Sequence, residues 1–220
     1  MKTLFQCDFD GTLTPEDVSF MILDAFGNRG WRQLLAQYKE GKITVAQFNS
    51  RAVSTIKADE QTLIRFVRDR AKLRPGFQDL LAHCHRQDFR FVIVSNGLDF
   101  YIKTILSDIG ADDIEVFAAQ TSFGSDSIKA RYLGPRGEPL EGRFKEAYLS
   151  LFQERGYRII YAGNGFSDIA PARKADHVFA TGELLTGCSE MNITCTPFND
   201  LNDIVRGLQS LPNWCPRANG

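Results

Sequence analysis

Apolar runs of strand length alternate with helix-patterned stretches along most of this chain, and that alternation points to an α/β protein built on a parallel sheet. Residues 3–9, 90–95, 114–118, 157–163 and 177–180 read as strands, with a weaker candidate at 192–196. Helical patterns fill the gaps at 76–86, 99–109, 144–155 and 168–175, and a last one covers 201–208. Gly110 and Gly156 follow two of them, where a helix C-terminus favours glycine. Residues 120–142 carry six glycines or prolines after Phe123, and pattern alone leaves them as a hairpin or a long loop.

From about residue 16 to 72 the alternation stops and only helical patterning remains. Val18, Met21, Ile22, Ala25 and Phe26 recur on one helix face. Thr44 with Gln47 forms the sequence of a capping box, and Asp59 is placed to cap a further helix carrying Leu63, Phe66 and Val67. Arg74-Pro75-Gly76 returns the chain to the sheet. A helical insert after the first strand falls at that strand's C-terminal end, where open α/β sheets bind ligands. The expected organisation is a core of residues 1–14 and 75–220 with a helical cap of residues 15–74.

Bulk properties narrow the partners. A formal charge of −1 supplies no basic excess for a nucleic-acid backbone. No run approaches the ~20 apolar residues of a membrane span, and Gln6 and Asp8 interrupt the N-terminal apolar stretch too early for a signal peptide. The five cysteines are odd in number and scattered without a CxxC pair, as expected of free thiols in the cytoplasm. His83 and His85, two apart on a helical pattern, face different sides and make a poor metal pair.

The chemistry concentrates in Asp8-Phe9-Asp10-Gly11-Thr12-Leu13-Thr14, where the first strand runs into a loop. Residues two apart on an extended chain point the same way, so the carboxylates of Asp8 and Asp10 converge. A divalent cation such as Mg²⁺, which prefers oxygen ligands, relieves their repulsion. One carboxylate can then attack phosphorus while its neighbour protonates the leaving group and later activates water. A bare Asp-x-Asp-Gly is more often a tight turn; the full heptapeptide at the end of the first strand is not read that way.

With this heptapeptide the chain resembles the haloacid dehalogenase-like phosphatases, whose fold is a Rossmann-like parallel sheet with a cap. The resemblance implies a magnesium-dependent phosphomonoesterase acting on a small phosphorylated metabolite through an aspartyl-phosphate. It assigns Asp8 as nucleophile, Asp10 as acid/base, and Thr12, Ser95, Asn96 and Lys145 as the phosphate grip. Lys129 is a weaker rival for the lysine. The family's usual Gly-Asp-x-x-x-Asp is matched by Gly163-Asn164-Gly165-Phe166-Ser167-Asp168, so Mg²⁺ is expected on Asp8, Asp10, Asn164 and Asp168 with an amide in place of one carboxylate. The insert position matches the phosphoserine phosphatase-like branch, and Ser95-Asn96-Gly97-Leu98-Asp99-Phe100-Tyr101 is closest in wording to phosphatases of methylthio-ketopentenyl phosphate. Asp17 and Arg51 are the polar cap residues to follow; Phe20, Trp31 and Phe48 are expected to pack. A phospho-ligand-binding protein disabled by Asn164, or a phosphotransferase, stays open as an alternative, as does a monomer or a homodimer.

Overall fold

The computed structural model describes residues 2–124 and 127–211. Its first strand, β1 (Lys2–Cys7), is buried from Thr3 onward, as a strand covered on both faces must be. It pairs in parallel with β2 (Phe89–Leu98) on one side and β5 (Tyr157–Gly163) on the other. Beyond β2 lie β3 (Glu115–Phe123) and β4 (Ile128–Arg131); beyond β5 lie β6 (His177–Ala180) and the two-residue β7 (Thr196–Pro197). The order across the sheet is β4-β3-β2-β1-β5-β6-β7, with only the β3–β4 pair antiparallel. The chain therefore leaves β1 toward β2 and later crosses back to β5. This reversal of strand order opens a crevice at the carboxyl ends of β1, β2 and β5.

Four helices stand between β1 and the next core element: α1 (Val18–Phe26), α2 (Trp31–Lys39), α3 (Val45–Val53) and α4 (Glu60–Arg70). Thr44 and Gln47 make the reciprocal capping box of α3, and Asp59 accepts the Thr62 amide to cap α4. On α1 the buried residues are Val18, Ile22 and Leu23, while Ala25 of the expected stripe is exposed. The core helices are α5 (Phe77–Arg86), α6 (Asp99–Asp108), α7 (Phe144–Glu154), the short α8 (Ile169–Ala172), α9 (Gly182–Glu190) and α10 (Leu201–Ser210). None of the described helices is long and apolar enough to cross a membrane.

Of the two readings open for residues 120–142 the hairpin holds: β3 runs on to Phe123 and pairs with β4, and Leu133 bridges Pro139. Two other expectations are corrected. The weak strand at 192–196 shrinks to Thr196–Pro197. The helix expected over 168–175 is a 3₁₀ turn at Phe166–Asp168 followed by four α-helical residues. The tight turn comes from the Asp168 carboxylate, which reaches back to the amides of Asn164 and Gly165.

Candidate active site

Asp8 is the first residue past β1, and its amide donates to the Ala162 carbonyl of β5 at 2.9 Å, so the sheet still holds its backbone. The chain then turns sharply at Gly11, whose φ of +72° is unfavourable for any residue with a Cβ. A Cβ there would also collide with the Asn164 side chain. Gly11→Ala is accordingly expected to cost about 1–2 kcal/mol and to displace Asn164. Thermal denaturation together with metal titration checks this, and a variant with wild-type values in both would contradict it. Arg74 buttresses the same turn, donating to the carbonyls of Gly11 and Thr12 at 3.0 Å each.

Lys145 enters from the first turn of α7. It is 3% exposed, and its Nζ lies 2.9 Å from Asp8 Oδ1 and 2.6 Å from Asp168 Oδ1. The buried carboxamide of Gln6 fixes the backbone beneath it by donating to the Lys145 carbonyl at 3.0 Å. The two carboxylates hold the Lys145 pKa above its ordinary value despite burial, so it stays a cation. Asp8 moves the other way: burial, reinforced by the charges of Asp168 and Asp10, outweighs Lys145 and raises it to about 7. Asp168 is fully buried. Lys145 and Tyr161 (2.5 Å) take its Oδ1; the amides of Asn164 (3.0 Å) and Gly165 (2.8 Å) take its Oδ2. Four donors fill the capacity of a carboxylate. Asp168, expected to hold the metal directly or through water, here holds Lys145 and the turn that carries Asn164.

Thr12 also differs from expectation. It is completely buried, and its hydroxyl lies 3.1 Å from Asn164 Oδ1 and 3.5 Å from Asp8 Oδ2 instead of being free to grip a phosphate. That contact does show the Asp8 and Asn164 oxygens converging on one small volume. A carboxylate and an amide oxygen side by side are a hard-oxygen donor set suited to Mg²⁺, with one less negative charge than a pair of carboxylates.

Asp10 lies beside Asp8 with 7% exposure. Burial, and next the neighbouring charge of Asp17, push its pKa well above the usual carboxylate range. Its Oδ1 accepts the Val18 amide at 2.9 Å, and its Oδ2 accepts the Tyr101 hydroxyl. Ser95, at the bend of β2, is buried and accepts the Gly97 amide at 3.0 Å. Asp8, Asp10, Ser95, Asn96, Lys145 and Asn164 all face one cavity of about 390 Å³. Its opposite wall comes from the insert: Phe20, Leu35, Tyr38, Val45 and Phe48, with Asp17, Ser19 and Asn49. Phe20 and Phe48 thus do more than pack, whereas Trp31 is buried against Phe20 at a ring separation of 4.9 Å.

The insert is tied to the core around this cavity. Asn49 of α3 donates to the Asn96 carbonyl at 2.9 Å and to the Tyr132 hydroxyl, which itself donates to Asn96. Lys39 of α2 pairs with Glu183 of α9 at 2.5 Å across the cavity rim. Nothing local in the sequence marks Tyr101, Tyr161, Asn49, Tyr132 or Arg74 as part of the site. The available signal was general: a tyrosine inside an apolar run needs a partner for its hydroxyl. Arg51 is exposed, and Lys129 is exposed on edge strand β4, which removes it as a rival to Lys145. His83 is buried edge-on to Phe89, and His85 is exposed. Cys7, Cys84, Cys188 and Cys195 are free thiols, while Cys215 lies outside the described residues.

Carboxylates, a buried lysine and an oxygen pair at a sheet's switch point define a phosphate-processing α/β hydrolase, and sequence comparison agrees. The chain belongs to the haloacid dehalogenase-like hydrolases, whose family model matches residues 5–173. It is similar to the 2-hydroxy-3-keto-5-methylthiopentenyl-1-phosphate phosphatase of Brevibacillus brevis, 26% identical over 214 residues and covering 96% of each chain. The enzyme of that name from Exiguobacterium sibiricum is 28% identical over 209 residues, covering 93% of this chain and 95% of its own. Among solved structures, the phosphoserine phosphatase of T. onnurineus superposes with a TM-score of 0.70 at 20% identity over 96% of each chain. A phosphoserine phosphatase with a phospho-aspartyl intermediate analogue gives 0.68 at 20% identity, covering 94% of this chain and 98% of that one. Family and relatives together make this chain a phosphatase.

Proposed function

We propose that this phosphatase is a cytoplasmic, Mg²⁺-dependent enzyme that hydrolyses a small phosphorylated metabolite through an aspartyl-phosphate on Asp8. The observation that carries the proposal is the buried Lys145, poised between Asp8 and Asp168 at the floor of the cavity. Asp8 attacks phosphorus, and the bond to the leaving oxygen breaks as Asp10 gives that oxygen a proton. Asp10 then takes a proton from the water that releases phosphate and restores Asp8. Ser95, Asn96 and Lys145 hold the transferring group, while Thr12 and Asp168 act behind them by orienting Asn164 and Lys145. Asp8, Asn164 and a main-chain carbonyl at Asp10 would hold Mg²⁺, which supplies charge neutralisation for nucleophile and phosphate. Phosphoryl transfer asks the protein mainly for positioning and compensating charge.

The insert's wall joins an apolar face (Phe20, Leu35, Val45, Phe48) to a few polar groups (Asp17, Ser19, Asn49). It suits a leaving group with an apolar end and hydroxyl or keto oxygens. The substrate named for the Brevibacillus and Exiguobacterium relatives, a methylthio-bearing keto-phosphate, has that character. Residues 15–74 serve as the cap that selects it. The test is turnover of p-nitrophenyl phosphate and of a panel of phosphorylated metabolites with Mg²⁺ present. Turnover is expected to vanish with EDTA and return with Mg²⁺; wild type no faster than Asp8→Asn would overturn the proposal. Asn164→Asp restores the missing charge and is expected to lower the Mg²⁺ concentration for half-maximal activity about tenfold, worth about 1.4 kcal/mol. Unchanged or weaker metal dependence would remove Asn164 from the ligand set.

A further inference from the structure

Asp10 is held by a hydrogen-bonded chain that starts in the insert. Tyr101, fully buried on α6, donates its hydroxyl proton to Asp10 Oδ2. Its single proton so used, it accepts from Ser19 Oγ at 2.8 Å. Ser19 belongs to α1, is half-buried and lines the cavity. The other carboxyl oxygen takes the amide of Val18, the neighbour of Ser19. Both oxygens are therefore anchored to the start of the insert, one directly and one through Tyr101. The arrangement needs Gly97 beneath it, because a Cβ there would collide with both the Tyr101 hydroxyl and Asp10 Oδ2. Phe9 and Phe100 pack against the Tyr101 ring at 6.2 and 5.5 Å, which fixes the donor's direction.

We infer that Tyr101, backed by Ser19 and given room by Gly97, is a positioning residue that aims the Asp10 carboxyl at the leaving-group oxygen. With Val18 and Tyr101 each occupying one oxygen, the transferable proton is left to the lone pairs facing the cavity. Tyr101 keeps its own proton throughout: Asp10 gives its proton to the leaving oxygen as the P–O bond breaks, and regains one from the attacking water. The chain also couples the acid/base group to closure of the insert, because withdrawing α1 removes Ser19 from Tyr101 and Val18 from Asp10 together. The inference rests on the acid/base role proposed for Asp10.

Leaving-group dependence separates aiming a proton from merely filling space. An alkyl phosphate needs its departing oxygen protonated, whereas p-nitrophenolate departs without help. The ratio kcat/KM is the quantity to measure, since it reflects only steps up to the first irreversible one. With Mg²⁺ present, Tyr101→Phe is expected to lower kcat/KM for butyl phosphate about 10- to 100-fold. That loss should exceed the loss on p-nitrophenyl phosphate by about tenfold or more, with KM within about threefold of wild type. Ser19→Ala should show a smaller loss with the same preference. Asp10→Asn sets the reference. If it loses alkyl turnover selectively and Tyr101→Phe loses both substrates equally or neither, the positioning role is overturned and the acid/base role stands. If Asp10→Asn shows no leaving-group preference, the acid/base role fails, and this inference with it. Should Tyr101→Phe prove too unstable to assay, Ser19→Ala decides: a selective loss supports the chain, and an equal loss or none overturns it.

Discussion

Asp8→Asn is expected to reduce phosphatase turnover by about 10⁴-fold or more, the scale seen when a covalent nucleophile is removed, without lowering thermal stability. The two outcomes follow from one geometry. Asp8 is the carboxylate nearest the end of β1 and faces the cavity beside Lys145. An amide of the same shape fills its space but cannot form the acyl-phosphate. Stability should survive because burial already works against the charged form of Asp8, as its pKa of about 7 records. The substitution also leaves Lys145 its shorter pair with Asp168. A circular-dichroism melt and a p-nitrophenyl phosphate assay on one preparation check both halves. Residual activity within about a hundredfold of wild type would mean that water attacks phosphorus directly, with Asp8 serving only as a metal ligand.

Much of this site was legible in the sequence because its residues sit at strand ends, and the strands announce themselves by apolar runs. Asp8 and Asn164 directly follow β1 and β5, Ser95 sits at the bend of β2, and parallel pairing brings the three together. What stayed illegible depends on partners far away in the chain. The carboxylate of Asp168 looks the same in sequence whether it binds a metal or a lysine. Only the folded chain brings Lys145 and Tyr161 to it, beside two amides of its own turn. Thr12 likewise lies in the motif, yet the packing of Asn164 over Gly11 takes its hydroxyl. Helix α9 is hard to see in sequence because Gly-Glu-Leu-Leu-Thr-Gly-Cys-Ser-Glu holds two glycines and a weak apolar repeat. Burial of Leu184 and Cys188 sustains a helix that propensity alone disfavours. Tyr101 ends the Ser95–Tyr101 stretch, yet nothing local tells a packed phenol from one aimed at a carboxylate.

The Lys145–Asp168 pair is expected to give the largest change in stability. Lys145→Met leaves Asp8 and Asp168 facing each other without a cation, both buried, and Tyr161 and two amides cannot replace a full charge at Asp168. Breaking a buried pair from one side costs about 3–5 kcal/mol, which for a chain of this size means a fall in melting temperature of roughly 10 °C. Asp168→Asn should be similarly damaging, because its new amide turns an N–H donor toward donors: Lys145 and Tyr161 on one side, or the amides of Asn164 and Gly165 on the other. Combining the two removes the cation together with one of the crowded carboxylates. The double variant should therefore lose clearly less stability than the sum of the singles, a coupling of roughly 1–3 kcal/mol. Activity should behave differently and stay lost in both variants without Lys145, because Asp8 and the phosphate then lack the positive charge that offsets theirs. Melting curves and kcat/KM measured across the cycle separate the two roles of Lys145. If activity returned in the double variant along with stability, Lys145 would be a folding element only, and the charge that stabilises the transferring phosphoryl group would have to come from elsewhere in the cavity.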